Sequence, residues 1–282
     1  MGWFGVRFPG LKAGSSGYIS MNSRVFKNVH LLAQLTKRDI LARYRGSIFG
    51  ALWSLLSPVL MLVVYTFVFG VVFKARWSGT VEDQGQFALI IFSGLLCFNV
   101  LSESICRAPT AISGNPNYVK KVVFPVEVVP LSLVLSSVWN AVVATGVLIL
   151  GQLVIVGSVP LTALYFPLVL LPLVLMSMGL SWFLASLGVF IRDINHLVPL
   201  LTSALLFVSP IFYPVDAVPE SVRRYFWLNP ISPVVENARR VLLFGTEPHT
   251  GLLLFSAALG ASVCVAGYVW FMTTRKGFAD VL

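Results

Sequence analysis

Few side chains in this sequence have the types and spacing to do chemistry, and each set points to a different kind. Glu103 and Arg107 stand four residues apart near the inner end of an otherwise apolar run. They could be part of an ion relay or a self-neutralised pair on one helix face. The pair is the simpler reading, because a proton or sodium pathway needs several buried acids or histidines in series, and the apolar runs lack them. Asn99, Asn140 and Gln152 also fall in apolar runs, where a carboxamide is more often interhelical glue than a ligand. Cys97, Cys106 and Cys264, like His30, His196 and His249, are scattered without metal or redox-pair spacing, so packing roles are expected. Asp216 with Glu220, or Glu82 with Asp83, come nearest to the paired carboxylates of a membrane transferase, and neither pair has a base or ligand set around it. No Lys is preceded by Gly and followed by Ser or Thr, so the phosphate-cradling loop of nucleotide hydrolases is absent from the sequence. The chemistry of this chain is therefore expected to be conduction rather than catalysis.

Aromatic residues form the other conspicuous set. Trp53, Tyr65, Phe67, Phe69, Phe73 and Trp77 crowd one apolar run, and Phe212, Tyr213, Tyr225, Phe226 and Trp227 crowd a later break. Aromatic rings mark the water–lipid boundary of membrane proteins, and their faces also stack on the C–H surfaces of sugars. The interfacial belt is the default, with Tyr65, Phe69, Phe73, Tyr213, Tyr225 and Trp227 as candidates for lining a glycan path.

The elements that must position these groups are set by composition. Of 282 residues, 57% are hydrophobic and 11% charged, and the mean hydropathy is +0.87, a balance that needs lipid as solvent. Six apolar runs are long enough to cross a bilayer, near residues 50–73, 87–104, 126–156, 161–190, 197–213 and 252–272. The third and fourth exceed one perpendicular crossing, which implies tilt, a kink or an extension beyond the hydrocarbon. With both termini inside, 14 of the 20 basic residues face the cytoplasm against five acids, leaving +9 inside and a balanced outside. The basic charge therefore reports membrane orientation and not a nucleic-acid partner. No cleavable signal peptide is evident, and the first span is expected to direct insertion.

Residues 1–24 have no periodicity and read as a flexible cytoplasmic tail, leaving 25–282 as one membrane domain. From Val25 to Leu41 apolar residues share one side of a helix, with Lys27, His30, Gln34, Lys37 and Arg38 on the other, which suits the cytoplasmic interface. Between the second and third runs, residues 111–125 are too polar for lipid; Gly114–Pro116 reads as a turn, and Tyr118–Phe124 as a short helix. Beyond Ser209–Pro214 two short stretches, 219–228 and 233–244, each open on proline and read as interfacial or re-entrant helices. There Glu236, three and four residues before Arg239 and Arg240, is spaced for a local ion pair.

Taken together, Leu35–Asp39, Arg43–Ser47, Gly50–Pro58, Asn117–Pro125, Phe190–Ile194 and Ser209–Pro214 resemble the permease subunits of ATP-binding-cassette type 2 exporters of cell-surface polysaccharide, most nearly the O-antigen permeases. The resemblance covers the chain from Val25 onward. It implies an all-α integral membrane protein with six transmembrane helices, an amino-terminal interface helix, a cytoplasmic coupling helix and a re-entrant extracellular hairpin before the last span. It further implies a homodimer in the bacterial inner membrane, bound to two copies of a separate ATPase that carries the ATP and magnesium, so that this chain holds no cofactor. By similarity, Asn115, Asn117, Tyr118, Lys120, Lys121, Arg192 and Asp193 couple to the ATPase. Arg43, Arg45 and Lys120 become candidates for the pyrophosphate of an undecaprenyl-linked glycan, since cations near the headgroup plane suit that anion. A drug or small-lipid exporter of the same superfamily is the alternative. The length before Val25 departs from the compact family pattern.

Overall fold

The computed structural model describes residues 21–72, 84–120, 124–215, 218–221 and 229–282, and among them every regular element is helical. Most of the expected tail, and residues 222–228 in the first stretch of the expected hairpin, lie outside the described residues. Helix α1 spans Met21–Arg43. Gly46 and Gly50 then take positive φ angles of 85° and 49° with open space where a Cβ would stand, so the requirement here is conformational. The turn they make delivers the chain into α2, Trp53–Tyr65, which continues as a π-helical stretch over Thr66–Val72.

Helix α3, Gln84–Arg107, is the axis of the bundle. From Phe87 to Leu101 its side chains are buried, with Asn99 the exception. Two short helices follow, α4 at Pro109–Ser113 and α5 at Pro116–Lys120. The expected helix at 118–124 thus begins earlier, because Pro116 belongs to the first turn of α5, where its missing donor is harmless, rather than closing the turn before it. Helices α6 (Val128–Ile155), α7 (Phe166–Phe190, after a 3-10 turn at Leu161–Tyr165) and α8 (Ile194–Val208) build the walls. Helix α9, Ser232–Leu242, packs on α3 and α7. The long α10, Thr250–Thr274, and the single turn α11, Phe278–Val281, complete the chain.

Among the described residues four helices are long and apolar enough to cross a bilayer, Gly85–Arg107, Val128–Ile155, Leu161–Phe190 and Thr250–Val281. The first and fifth expected spans fall on shorter apolar helices, Trp53–Phe69 and Ile194–Val208. At 15 residues the latter is roughly 22 Å long against the ~30 Å of hydrocarbon. Its end is set by the Ser209–Pro210 break.

Helices α7 and α10 cross with their backbones almost touching. A Cβ added to Gly179 would lie 2.2 Å from the Val263 carbonyl oxygen, and one on Gly267 only 2.0 Å from that of Gly179. Lipid gives helix pairs no hydrophobic drive to associate, so close van der Waals contact between small residues is what holds this crossing. Gly267→Val is therefore expected to force the helices apart and cost about 3 kcal/mol, read as a lowered melting temperature of the detergent-solubilised protein. The Ser186 and Thr274 hydroxyls, 2.7 Å apart, close the same seam near its end.

The expected surface pair at Glu236 gives way to something else. Arg239 is 1% exposed and turns inward, donating from Nη2 to the Ile211 carbonyl at 2.8 Å and from Nε to that of Ile90 at 3.4 Å. Arg240 is half-buried and donates from Nε to the Glu247 carbonyl at 3.0 Å. The reason is geometric: α9 lies against α3 and the broken backbone at 209–211, where the Ile211 carbonyl, outside any helix, needs a strong donor.

Candidate functional site

Three helical stripes and the end of α1 enclose the best-formed cavity, about 320 Å³. On α2 the stripe is Ser54, Ser57, Pro58, Met61 and Tyr65; on α3 it is Phe92, Leu95, Leu96, Asn99 and Glu103; on α6 it is Ser137, Asn140, Ala141 and Ala144. Each steps by three or four residues, the spacing that puts side chains on one face. Arg43 and Tyr44 close the remaining side.

The cavity is apolar toward Phe92 and polar toward Glu103, and a charge network holds the polar end. Arg43 pairs with Glu103, and Asn140 donates from Nδ2 to both Glu103 oxygens at 3.0 and 3.2 Å. Arg107 sits 3.8 Å from Glu103 and makes a two-point contact with Asp39, one arm at 2.9 Å. Two guanidiniums and two carboxylates thus cancel, and they tie α1 to α3 twice. Burial, then the neighbouring Arg107, hold the Arg43 guanidinium below its ordinary value, while Tyr44 and Asp39 push the other way. The expected Glu103–Arg107 pair is therefore one edge of a larger cluster. Asp39 went unnoticed because its partner is 68 residues away.

The carboxamides divide. Asn140 is interhelical glue as expected. Asn99 is exposed toward the cavity and makes no hydrogen bond among the described residues, and the buried Gln152 Oε1 likewise has no partner there.

Of the aromatic candidates, Tyr65 lines the cavity. Phe69 instead stacks on Phe212, with ring centroids 6.1 Å apart, and packs on the core. Tyr213 is half-buried and donates its hydroxyl to the Phe207 carbonyl at 3.0 Å. Phe73, Tyr225 and Trp227 lie outside the described residues.

At the α5 end the structure brings together residues far apart in sequence. Arg38 of α1 donates to the Tyr118 hydroxyl and lies over its ring, 5.7 Å from the centroid. Tyr118 stacks on Phe124 with centroids 4.4 Å apart and planes within 9°. Both pack on a cluster made by Trp182, Phe271 and Phe278 from α7, α10 and α11. Asn115 donates to the Ala111 carbonyl at 3.2 Å, closing α4, and Asn117 is exposed. Arg192 and Asp193 are exposed at the α7–α8 junction, where Arg192 lines a cleft shared with Thr110 and Ser113 of α4. The two expected coupling segments are thus neighbours. Lys121 and the Lys120 side chain lie outside the described residues, and Arg45 is exposed just past α1.

The outward surface is greasy: Leu60 and Val63 of α2, Phe67 of the π-helical stretch after it, Leu200 and Phe207 of α8, and Leu254 and Val265 of α10 are all exposed. Such a surface wrapped around a charge-neutral polar cavity defines a multi-pass helical membrane protein. The chain belongs to the ABC-2 type transporter family, whose membrane-domain model matches residues 30–243. It is 30% identical over 254 residues, 89% of this chain and 94% of the relative, to the O-antigen export system permease protein RfbA of Myxococcus xanthus. A protein of the same name from Klebsiella pneumoniae is 26% identical over 254 residues, 89% of this chain and 95% of the relative. The polysialic acid transport protein KpsM of Escherichia coli is 25% identical over 215 residues, 74% of this chain and 79% of the relative.

Proposed function

We propose that this chain is the permease of an ATP-driven exporter that moves a lipid-linked polysaccharide, such as an undecaprenyl-pyrophosphate O-antigen, across the bacterial inner membrane. The observation that carries this reading is the end-to-end similarity to O-antigen export permeases, together with a polar cavity at the point where α1 meets α2, α3 and α6. Six spans with cytoplasmic termini, a re-entrant hairpin ending in α9, and a homodimer with two separate ATPase subunits binding ATP and magnesium belong to the same proposal. Asn115, Asn117, Tyr118, Lys120, Lys121, Arg192 and Asp193 are the residues that couple to the ATPase in this reading. A push on α5 reaches α1 through Arg38 and Tyr118, and passes from α1 to the cavity wall through Asp39–Arg107 and Arg43–Glu103. Of the three cations that the resemblance offers to the pyrophosphate, Arg45 and Lys120 keep that role in this reading, because Arg43 is engaged by Glu103.

The test is deletion of this chain from its host, with fractionation of lipid-linked glycan. Glycan trapped on the cytoplasmic side, together with co-purification of a Walker-type ATPase with the tagged chain, is the expected result. Glycan still reaching the surface while a small hydrophobic drug is retained would instead identify a drug or small-lipid exporter.

A further inference from the structure

Resting on that reading, we infer that the cavity between α2, α3 and α6 is a slot for an uncharged sugar ring, the one next to the lipid pyrophosphate, rather than for the pyrophosphate itself. The charge balance carries the argument. Arg43 and Arg107 each already face a carboxylate, so the network presents no surplus cation, and a diphosphate entering beside Glu103 would meet its negative charge at close range.

What the cavity does offer is hydrogen bonding suited to hydroxyls. Asn99 is a carboxamide with no hydrogen-bond partner among the described residues, projecting into the space from a helix otherwise buried over Phe87–Leu101. A mid-helix amide exposed at an apolar wall is costly unless something polar visits it. The Glu103 carboxylate accepts from Asn140 and Arg43 and has room among its roughly four lone-pair sites for a sugar hydroxyl. Ser57 and Tyr44 add further polar groups at the rim. Tyr65 adds an aromatic ring to the lining, and its face can receive the C–H surface of a pyranose. The volume, about 320 Å³, sits at the small end of ligand pockets, on the order of 300–1,000 Å³, enough for a single ring and not for a chain. The anion then falls outside the slot, toward exposed Arg45, two residues past Arg43. The site would therefore distinguish a carrier lipid that bears a sugar from one that does not.

The experiment uses the permease–ATPase complex in lipid nanodiscs and two probes, undecaprenyl diphosphate and undecaprenyl diphosphate carrying one N-acetylhexosamine, with binding measured at equilibrium. Wild-type complex is expected to bind the sugar-bearing probe about tenfold more tightly. Asn99→Leu should bring that ratio close to one without changing affinity for the bare diphosphate, and Asn99→Gln should keep part of the preference. Because Asn99 makes no hydrogen bond among the described residues, Asn99→Leu removes no hydrogen bond from them. Equal binding of both probes by wild type, or equal weakening of both by Asn99→Leu, overturns the slot while leaving the export reading intact. Failure to bind either probe overturns both.

Discussion

Arg239→Ala is expected to remove most of the folded protein from the membrane, with a destabilisation on the order of 4 kcal/mol. Two losses add. The Ile211 and Ile90 carbonyls lose a buried charged donor, and the largest fully buried side chain among the described residues leaves a hole. Arg239→Met separates them, because it fills much of the volume and restores neither hydrogen bond. It also relieves the cost of holding a charge away from water. Melting temperature and monodispersity of the solubilised protein are therefore expected in the order wild type, then Arg239→Met, then Arg239→Ala. If Arg239→Met were as damaging as Arg239→Ala, packing would be irrelevant and the carbonyl contacts would carry the whole effect. Gly94 lies close by, since a Cβ there would stand 3.1 Å from Arg239 Nη2; Gly94→Val should shift the melt in the same direction by crowding the same guanidinium.

That arginine also marks where sequence reading ran out. Glu236 stands at helical spacing from Arg239 and Arg240, and a local pair is the cheapest arrangement one segment can suggest. Only the packing of α9 against the break at 209–211 reveals the Ile211 carbonyl, which lies outside any helix and takes the guanidinium as its donor. By contrast, the long spans were legible because hydropathy over 20 or so residues is a property of one segment, and α3, α6, α7 and α10 fall where the apolar runs do. The first and fifth were legible as apolar but not as short, since the helix ends depend on Gly46, Gly50 and the Ser209–Pro210 break acting on geometry rather than composition. The crossing at Gly179 and Gly267 could not be foreseen at all, because no single sequence says which two glycine-bearing runs will meet. The cavity was half-visible: Asn99, Glu103 and Asn140 stood out as polar groups in apolar surroundings, and Tyr65 as an aromatic at a boundary. Their convergence, and the role of Asp39 and Arg43 in neutralising it, needed the fold.

Convergence of that kind makes Glu103 the most consequential single residue for transport. Glu103→Gln keeps the shape and removes the charge, so Arg43 faces an amide and the second tie between α1 and α3 weakens, while the Asp39–Arg107 tie remains. The groups are partly exposed, with side-chain exposures of 29% for Arg43 and 21% for Glu103, so the stability cost is expected to be only about 1 kcal/mol. The effect on export is expected to be larger, a loss of about tenfold or more, because α1 then moves without carrying the cavity wall, and a small misplacement at a working site costs more in rate than in folding. The double variant Arg43→Gln with Glu103→Gln removes the stranded cation together with its partner. Its melting temperature should lie above the value expected from adding the two single effects, a coupling of about 1 kcal/mol. Its export should stay low, because neutrality is restored and the mechanical tie is not. Recovery of export in the double variant would mean that the pair serves only to cancel charge, and that α1 reaches the cavity by another route.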